Sequence, residues 1–226
     1  MRLRNLILWD IRFQAKYGFY FLYAVLTVLY VVLLFALPMD LRRKAAAILI
    51  FSDPAAMGMF FMGAVILLEK SQKIPCAFAV SPVKAAEYIL AEVISFGAIS
   101  EIVALVIAVA AGVSNLPGVL IGTLFSSVMF TLLGMIVAAK IKSLNQFVLG
   151  TVPFEIICFV PAILYLFGML PEWMQYVPQV WCMGLIAQID QSIMGIVWYA
   201  MLILLLLFVA YRNIERMWNS MGGAKL

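Results

Sequence analysis

Histidine is absent from all 226 residues of this chain. Its imidazole is the commonest general base near neutral pH and the commonest metal ligand in proteins. The absence argues against the chemistry of a membrane protease or an oxidoreductase. It leaves carboxylates, lysines and hydroxyl groups as the polar chemistry of the chain.

Cysteine and aspartate are also scarce. The three cysteines, Cys76, Cys158 and Cys182, show no C-x-x-C spacing, so the sequence predicts neither a disulfide framework nor a metal site. The four aspartates are scattered, and no nucleotide-binding phosphate loop, G-x-S-x-G or H-E-x-x-H motif occurs. We therefore expect no enzymatic activity and no bound cofactor.

Charged residues make up only 12% of the chain, whereas 66% of the residues are hydrophobic and the mean hydropathy is +1.12. This composition is far more apolar than that of a soluble domain. A helix needs roughly 20 residues to cross a hydrocarbon core of about 30 Å. The sequence predicts an all-α integral membrane protein of the plasma membrane.

The apolar runs predict a single membrane domain with six transmembrane helices. The predicted spans cover about residues 17–37, 54–68, 85–112, 119–139, 146–168 and 193–211. Asp53-Pro54 is expected to break the chain before the short second span. Residues 3–17 precede the spans as an amphipathic interface helix. Residues 170–190, with Pro171, Pro178 and three aromatic residues, are expected to form short external helices at the membrane surface.

The distribution of lysine and arginine predicts the orientation. With six spans, 12 of the 15 basic residues fall on one side, and only Arg42, Arg43 and Lys44 fall on the other. Positive residues concentrate in cytoplasmic segments. We therefore expect both termini and residues 69–84 to be cytoplasmic.

Two glutamates, Glu101 and Glu155, lie near the middle of the third and fifth predicted spans. An ionised side chain there costs roughly 3 kcal/mol or more unless it is paired or faces water. One hypothesis places them on a translocation pathway for cationic or zwitterionic cargo. The other makes them protonated and hydrogen-bonded within the bundle. Asp10 falls on the apolar stripe of the interface helix, and Glu92 is expected to reach the interface.

The polar segment 69–84 separates the second and third spans and is longer than a turn requires. Its charged start, apolar middle and Ser-Pro end predict a contact with another molecule. Ser81 is expected to cap a helix that begins at Pro82. The residues that would carry the contact are Glu69, Lys70, Lys73, Ile74, Phe78, Ser81 and Pro82.

The order of these motifs resembles that of the permease subunits of type-2 ABC exporters. The matching stretches are Asp53-Pro54, Glu69-Lys70, Ser81-Pro82-Val83, Glu87-Tyr88-Ile89-Leu90 and Leu170-Pro171-Glu172-Trp173. The resemblance covers nearly the whole chain, although residues 71–75 depart from the glycine and threonine usual in the family. Small drug-export permeases of the fluoroquinolone type are most similar, followed by permeases that confer immunity to antimicrobial peptides.

The resemblance implies a permease that forms the pathway for a drug-like, peptide or lipid-like cargo, while a separate ATPase subunit binds and hydrolyses ATP. It implies that residues 69–84 contact this ATPase, with Ile74 and Phe78 in a cleft on its surface. A connecting helix carrying Arg4, Arg12 and Lys16 would lie beside them. A second permease, either a copy or a sister subunit, and the lipid bilayer are the other expected partners. Nothing indicates a nucleic-acid partner.

Three other functions stay open. A proton-coupled secondary transporter would use Glu101 and Glu155 as a relay, and its transport would survive ATP depletion but not loss of the proton gradient. A membrane enzyme is disfavoured by the missing histidines and carboxylate clusters. An assembly partner without cargo is compatible with the long polar segment.

Overall fold

The computed structural model describes residues 2–52, 57–189 and 191–221, and within these ranges the chain contains helices and no strand. The first five helices are α1 (Arg2–Lys16), α2 (Phe19–Ala36), α3 (Met39–Ile50), α4 (Met57–Ser71) and α5 (Ile74–Val80). They are followed by α6 (Ala85–Ala110), α7 (Leu116–Lys140), α8 (Leu144–Leu166), a 3-10 helix (Glu172–Tyr176), α9 (Pro178–Ile186) and α10 (Met194–Met221). The prediction of an all-α fold is confirmed for these residues.

Five helices, α2, α6, α7, α8 and α10, are long and apolar enough to cross a bilayer. Each overlaps one of the predicted spans. Helix α4 occupies the place of the predicted second span and has 15 described residues, fewer than a full crossing requires. The predicted break at Asp53-Pro54 lies outside the described residues.

Helix α7 forms the centre of the bundle, where it packs against α4, α6, α8, α9 and α10. It is the most buried of the long helices, whereas α2 is the least buried. The outward faces of α2, α8 and α10 carry exposed apolar side chains such as Val28, Leu149 and Leu204. An apolar outer surface of this kind suits a protein surrounded by lipid.

Glycine allows α4 and α7 to approach closely. A Cβ atom placed on Gly134 of α7 would lie 2.5 Å from the carbonyl oxygen of Met59 on α4. On α4 itself, a Cβ on Gly58 would lie 2.6 Å from the hydroxyl of Thr131. Small residues at such crossings permit backbone contact between helices in a membrane.

Helix α9 is part of the packed bundle. Its side chains from Gln179 to Gly184 are buried, and it contacts α7, α8 and α10. The ring nitrogen of Trp181 donates a hydrogen bond to the carbonyl of Ser192 at 3.1 Å. Residues 178–186 thus form a short helix, as expected, and this helix packs into the bundle; its position at the membrane surface stays a prediction. Its apolar face meets other helices, because Gly122 of α7 leaves room for the α9 backbone.

Candidate functional site

Helix α5 is a seven-residue helix within the polar segment, held between the ends of α4 and α6. Lys73 adopts a left-handed conformation with φ of 58° and turns the chain sharply after α4. Pro75 occupies the first turn of α5. Proline has no backbone N–H, and in the first turn of a helix that N–H would have no intrahelical acceptor, so no hydrogen bond is lost. Residues 69–84 are thus an ordered element with its own orientation.

An aromatic cluster fixes α5 to three other helices. The ring of Phe78 stacks on Trp218 of α10, with centroids 5.1 Å apart, and lies 5.5 Å from Tyr88 of α6. Trp9 of α1 approaches the same ring edge-on at 6.4 Å. Each such pair contributes about 0.5–1.5 kcal/mol beyond the burial of its surface. The thiol of Cys76 adds a hydrogen bond to the carbonyl of Met221 at 3.2 Å.

The orientation of Phe78 differs from the one inferred for a partner contact. Its half-buried ring is engaged by side chains of its own chain. The exposed side chains of α5 are Ala77 and Val80, and Val80 is 83% exposed. On α5, Val80 is therefore the side chain most open to a partner, whereas the Phe78 ring is partly covered by its own chain.

Three other predicted contact residues gather at one groove. Ile74 of α5 and the exposed Arg12 and Lys16 of α1 line a cavity of about 410 Å³ between the two helices. Gln72 closes one end, where its amide donates a 2.5 Å hydrogen bond to the hydroxyl of Tyr17. Arg4 is exposed farther along α1 and does not line the groove.

Glu69 and Lys70 point into the bundle. Glu69 is 1% exposed and accepts a 2.8 Å hydrogen bond from the hydroxyl of Tyr88. The ammonium of Lys70 donates to the carbonyls of Ala138, Ala139 and Ile141 at 2.7, 3.0 and 2.8 Å. These carbonyls lie at the end of α7, where the last carbonyls of a helix lack their usual intrahelical donors, although that of Ala138 also accepts from the N–H of Ile141 at 3.3 Å. Both side chains therefore hold helix ends together and present little to a partner.

The start of α6 differs from the prediction. The helix begins at Ala85, and the backbone N–H of Lys84 donates to the carboxylate of Glu87 at 2.9 Å. The hydroxyl of Ser81 instead donates to the carbonyl of Phe78 at 3.0 Å. Ser81 thus ends α5 rather than capping α6, and Pro82 precedes the helix.

Three buried carboxyl groups lie behind this surface, on α1, α4 and α6. Asp10, Glu69 and Glu92 are each 1% exposed, and they act on one another electrostatically. Asp10 accepts hydrogen bonds from the hydroxyl of Ser95 and, at 3.3 Å, from the amide of Gln14. Among the described residues, no lysine or arginine pairs with these acids.

Burial raises the pKa of Asp10 to about 6, and the hydrogen bonds from Ser95, Glu92 and Gln14 offset only part of this effect. Three buried carboxyl groups without a cation are too costly to ionise together. In the sequence, the feature that indicated this cluster was the position of Asp10 on the apolar stripe of α1. Glu92, which was expected to reach the interface, is buried beside Asp10 of α1.

Glu101 and Glu155 are both half-buried, and each has one enclosed carboxylate oxygen without a hydrogen-bond partner in the described part of the chain. They belong to helices with different neighbours. Helix α6 packs mainly on α7, α1 and α2, whereas α8 packs on α9, α4 and α7. No described hydrogen bond joins the two glutamates, so the structure does not assemble them into a relay.

Comparison with known proteins gives a family. The family model described as the fluoroquinolones export permease protein family matches residues 1–218. Fluoroquinolones export permease proteins from two strains of Mycobacterium tuberculosis are 27% identical to this chain over 154 residues. The match covers 66% of this chain, and the chain spans about 63% of the length of these curated relatives.

Proposed function

The chain belongs to the fluoroquinolones export permease protein family, and from this premise we propose that it is the membrane subunit of an ATP-binding cassette exporter. The family match confirms the resemblance to export permeases of the fluoroquinolone type. In the proposed exporter, the chain forms the translocation pathway without catalysing a reaction. A separate ATPase subunit binds and hydrolyses ATP, and a second permease, either a copy or a sister chain, completes the pathway.

The observation that carries this proposal is the attachment of α5. One side of α5 is fixed to α1, α6 and α10 through Phe78, Trp9, Tyr88 and Trp218. Its other side exposes Val80. A partner that pushes on Val80 therefore acts on three helices of the bundle at once. This is the property required of an element that transmits movement from an ATPase to a membrane domain.

The proposed orientation has six spans, with α4 as the short second span. Contacts support placing both ends of the described chain on one side, since α5 touches α1 and also the last turns of α10. The excess of lysine and arginine on that side supports a cytoplasmic location. Helix α9 would then lie at the outer side of the plasma membrane.

The proposed cargo is drug-like, because the relatives are named for fluoroquinolone export; a peptide or lipid-like cargo is the alternative. In this proposal Glu101 offers its unpartnered oxygen to a cationic or zwitterionic cargo. Glu155 would contribute from α8 in the same way. The two acids then serve the pathway separately and not as a relay.

Co-purification tests the exporter proposal directly. A chain tagged after α10 is extracted from its native membranes in mild detergent, and the proteins that accompany it are identified. We expect an ATPase with a phosphate-binding loop to be recovered with the wild type and lost with Val80→Asp. The matched control is Asn145→Asp, which adds the same charge at an exposed position in the first turn of α8.

The controls separate the outcomes. The Val80→Asp variant should have the melting temperature of the wild type, because Val80 is exposed. Loss of the ATPase by this variant would therefore reflect a lost contact. Retention of the ATPase by Val80→Asp would refute the docking position. Recovery of the wild type with no ATPase would refute the exporter proposal. Transport that survives ATP depletion and stops with the proton gradient would then favour a secondary transporter using Glu101 and Glu155.

A further inference from the structure

A cavity of about 440 Å³ opens beside α5, where α4, α7 and α10 end. Its volume falls within the range of about 300–1,000 Å³ typical of small-molecule sites. Its walls combine three lysines with three large apolar side chains. These are Lys70, Lys140, Lys142, Leu67, Met217 and Met221.

The positive charge of this cavity is not neutralised by the described residues that line it, none of which is acidic. Lys142 lies near enough to Lys70 for the two charges to repel. The three donors of Lys70 are taken by the carbonyls that end α7. Lys140 and Lys142 are exposed and remain available to an anion.

The position of the cavity indicates which anion it receives. Leu67 belongs to the apolar run of α4, and Met217 belongs to α10 beyond its most apolar part. Under the proposed orientation, this places the cavity at the inner boundary of the bilayer. Basic pockets between transmembrane helices on that side recognise anionic lipid headgroups.

We propose that this cavity binds the phosphate of an anionic phospholipid from the inner leaflet. Lys140 and Lys142 contact the phosphate, and Leu67, Met217 and Met221 pack against the first carbons of the acyl chains. The bound lipid joins the ends of α4, α7 and α10 next to α5. This inference rests on the proposed membrane orientation, but it requires no ATPase.

The test is thermal unfolding of the purified chain in neutral detergent with added lipid. Phosphatidylglycerol in large excess over its Kd should raise the melting temperature by about 5 °C or more. Phosphatidylcholine and inorganic phosphate, at the same phosphate concentration, should raise it by less than a third of that shift. An equal shift with phosphatidylcholine would overturn recognition of charge. An equal shift with inorganic phosphate would overturn recognition of a lipid.

Variants locate the site. Lys140→Gln with Lys142→Gln should lose more than half of the phosphatidylglycerol shift, while replacement of both lysines by arginine should retain it. The matched control, Arg4→Gln with Arg43→Gln, removes two positive charges outside the cavity and should also retain the shift. A full shift in the lysine-to-glutamine variant would overturn the proposal. Because no ATPase is present, that result would leave the exporter proposal standing.

Discussion

Truncation of Phe78 tests whether α5 is attached to the bundle as described. Replacing a fully buried phenylalanine by alanine costs about 3–5 kcal/mol, and the half-buried Phe78 should cost about 2–3 kcal/mol. In a chain of this length 1 kcal/mol corresponds to about 2–4 °C, so Phe78→Ala should lower the melting temperature by about 4–12 °C. Val80→Ala, two residues away on the exposed side, should change it by less than about 2 °C.

The assay is tryptophan fluorescence during thermal unfolding in detergent, because Trp9 and Trp218 flank the Phe78 ring. Under the proposed function, ATP-driven transport in vesicles is measured on the same variants. Phe78→Ala should weaken transport together with stability, and Val80→Ala should leave stability unchanged. Unchanged melting of Phe78→Ala, combined with loss of the ATPase, would refute the intrachain attachment. It would restore the sequence-based hypothesis that this ring enters a cleft on the ATPase.

Two further predictions concern packing and pH. Gly134→Ala should destabilise the chain by about 1–3 kcal/mol, because the new Cβ would meet the carbonyl of Met59. In the control Gly97→Ala, the new Cβ has ordinary van der Waals space, so this variant should be neutral or stabilised by up to about 1 kcal/mol. Equal melting temperatures of the two variants would contradict the close approach of α4 and α7. The pKa of Asp10 is raised to about 6, so ionisation of Asp10 should lower the free energy of unfolding as pH rises from about 4 to 6. Asp10→Asn should remove this loss. At pH 7.5 the free energy of unfolding of the variant should exceed that of the wild type by up to about 3 kcal/mol, and near pH 4 the two should differ little. Parallel melting curves of the two proteins across this pH range would contradict that assignment.

The long helices could be predicted from the sequence because their apolar runs have the length of a bilayer crossing. The predicted spans 17–37 and 119–139, for example, coincide closely with α2 and α7. The position of an acid on an apolar face was also visible, at Asp10. These features depend on residues that are neighbours in sequence, so periodicity and run length report them directly.

The surroundings of α5 could not be predicted in the same way. Phe78 meets Trp9 and Trp218, which lie far from it in sequence, and no local pattern indicates that these three rings converge. Ser81 could not be placed from the sequence either. Its position before a proline suited the start of α6 as well as the end of α5. The choice was decided by Glu87, which caps α6 from inside the helix.

The hydrogen bonds from Lys70 to the end of α7 have a mechanical consequence. Three hydrogen bonds prevent the ends of α4 and α7 from sliding past each other, so a displacement beside α5 is carried into α7 as a whole. Helix α7 has 25 residues, which make a rod of about 38 Å at 1.5 Å per residue. Near its other end, Gly122 rests against the backbone of α9 at Cys182. A push beside α5 would therefore reach the buried α9 near the other end of α7 through a single helix.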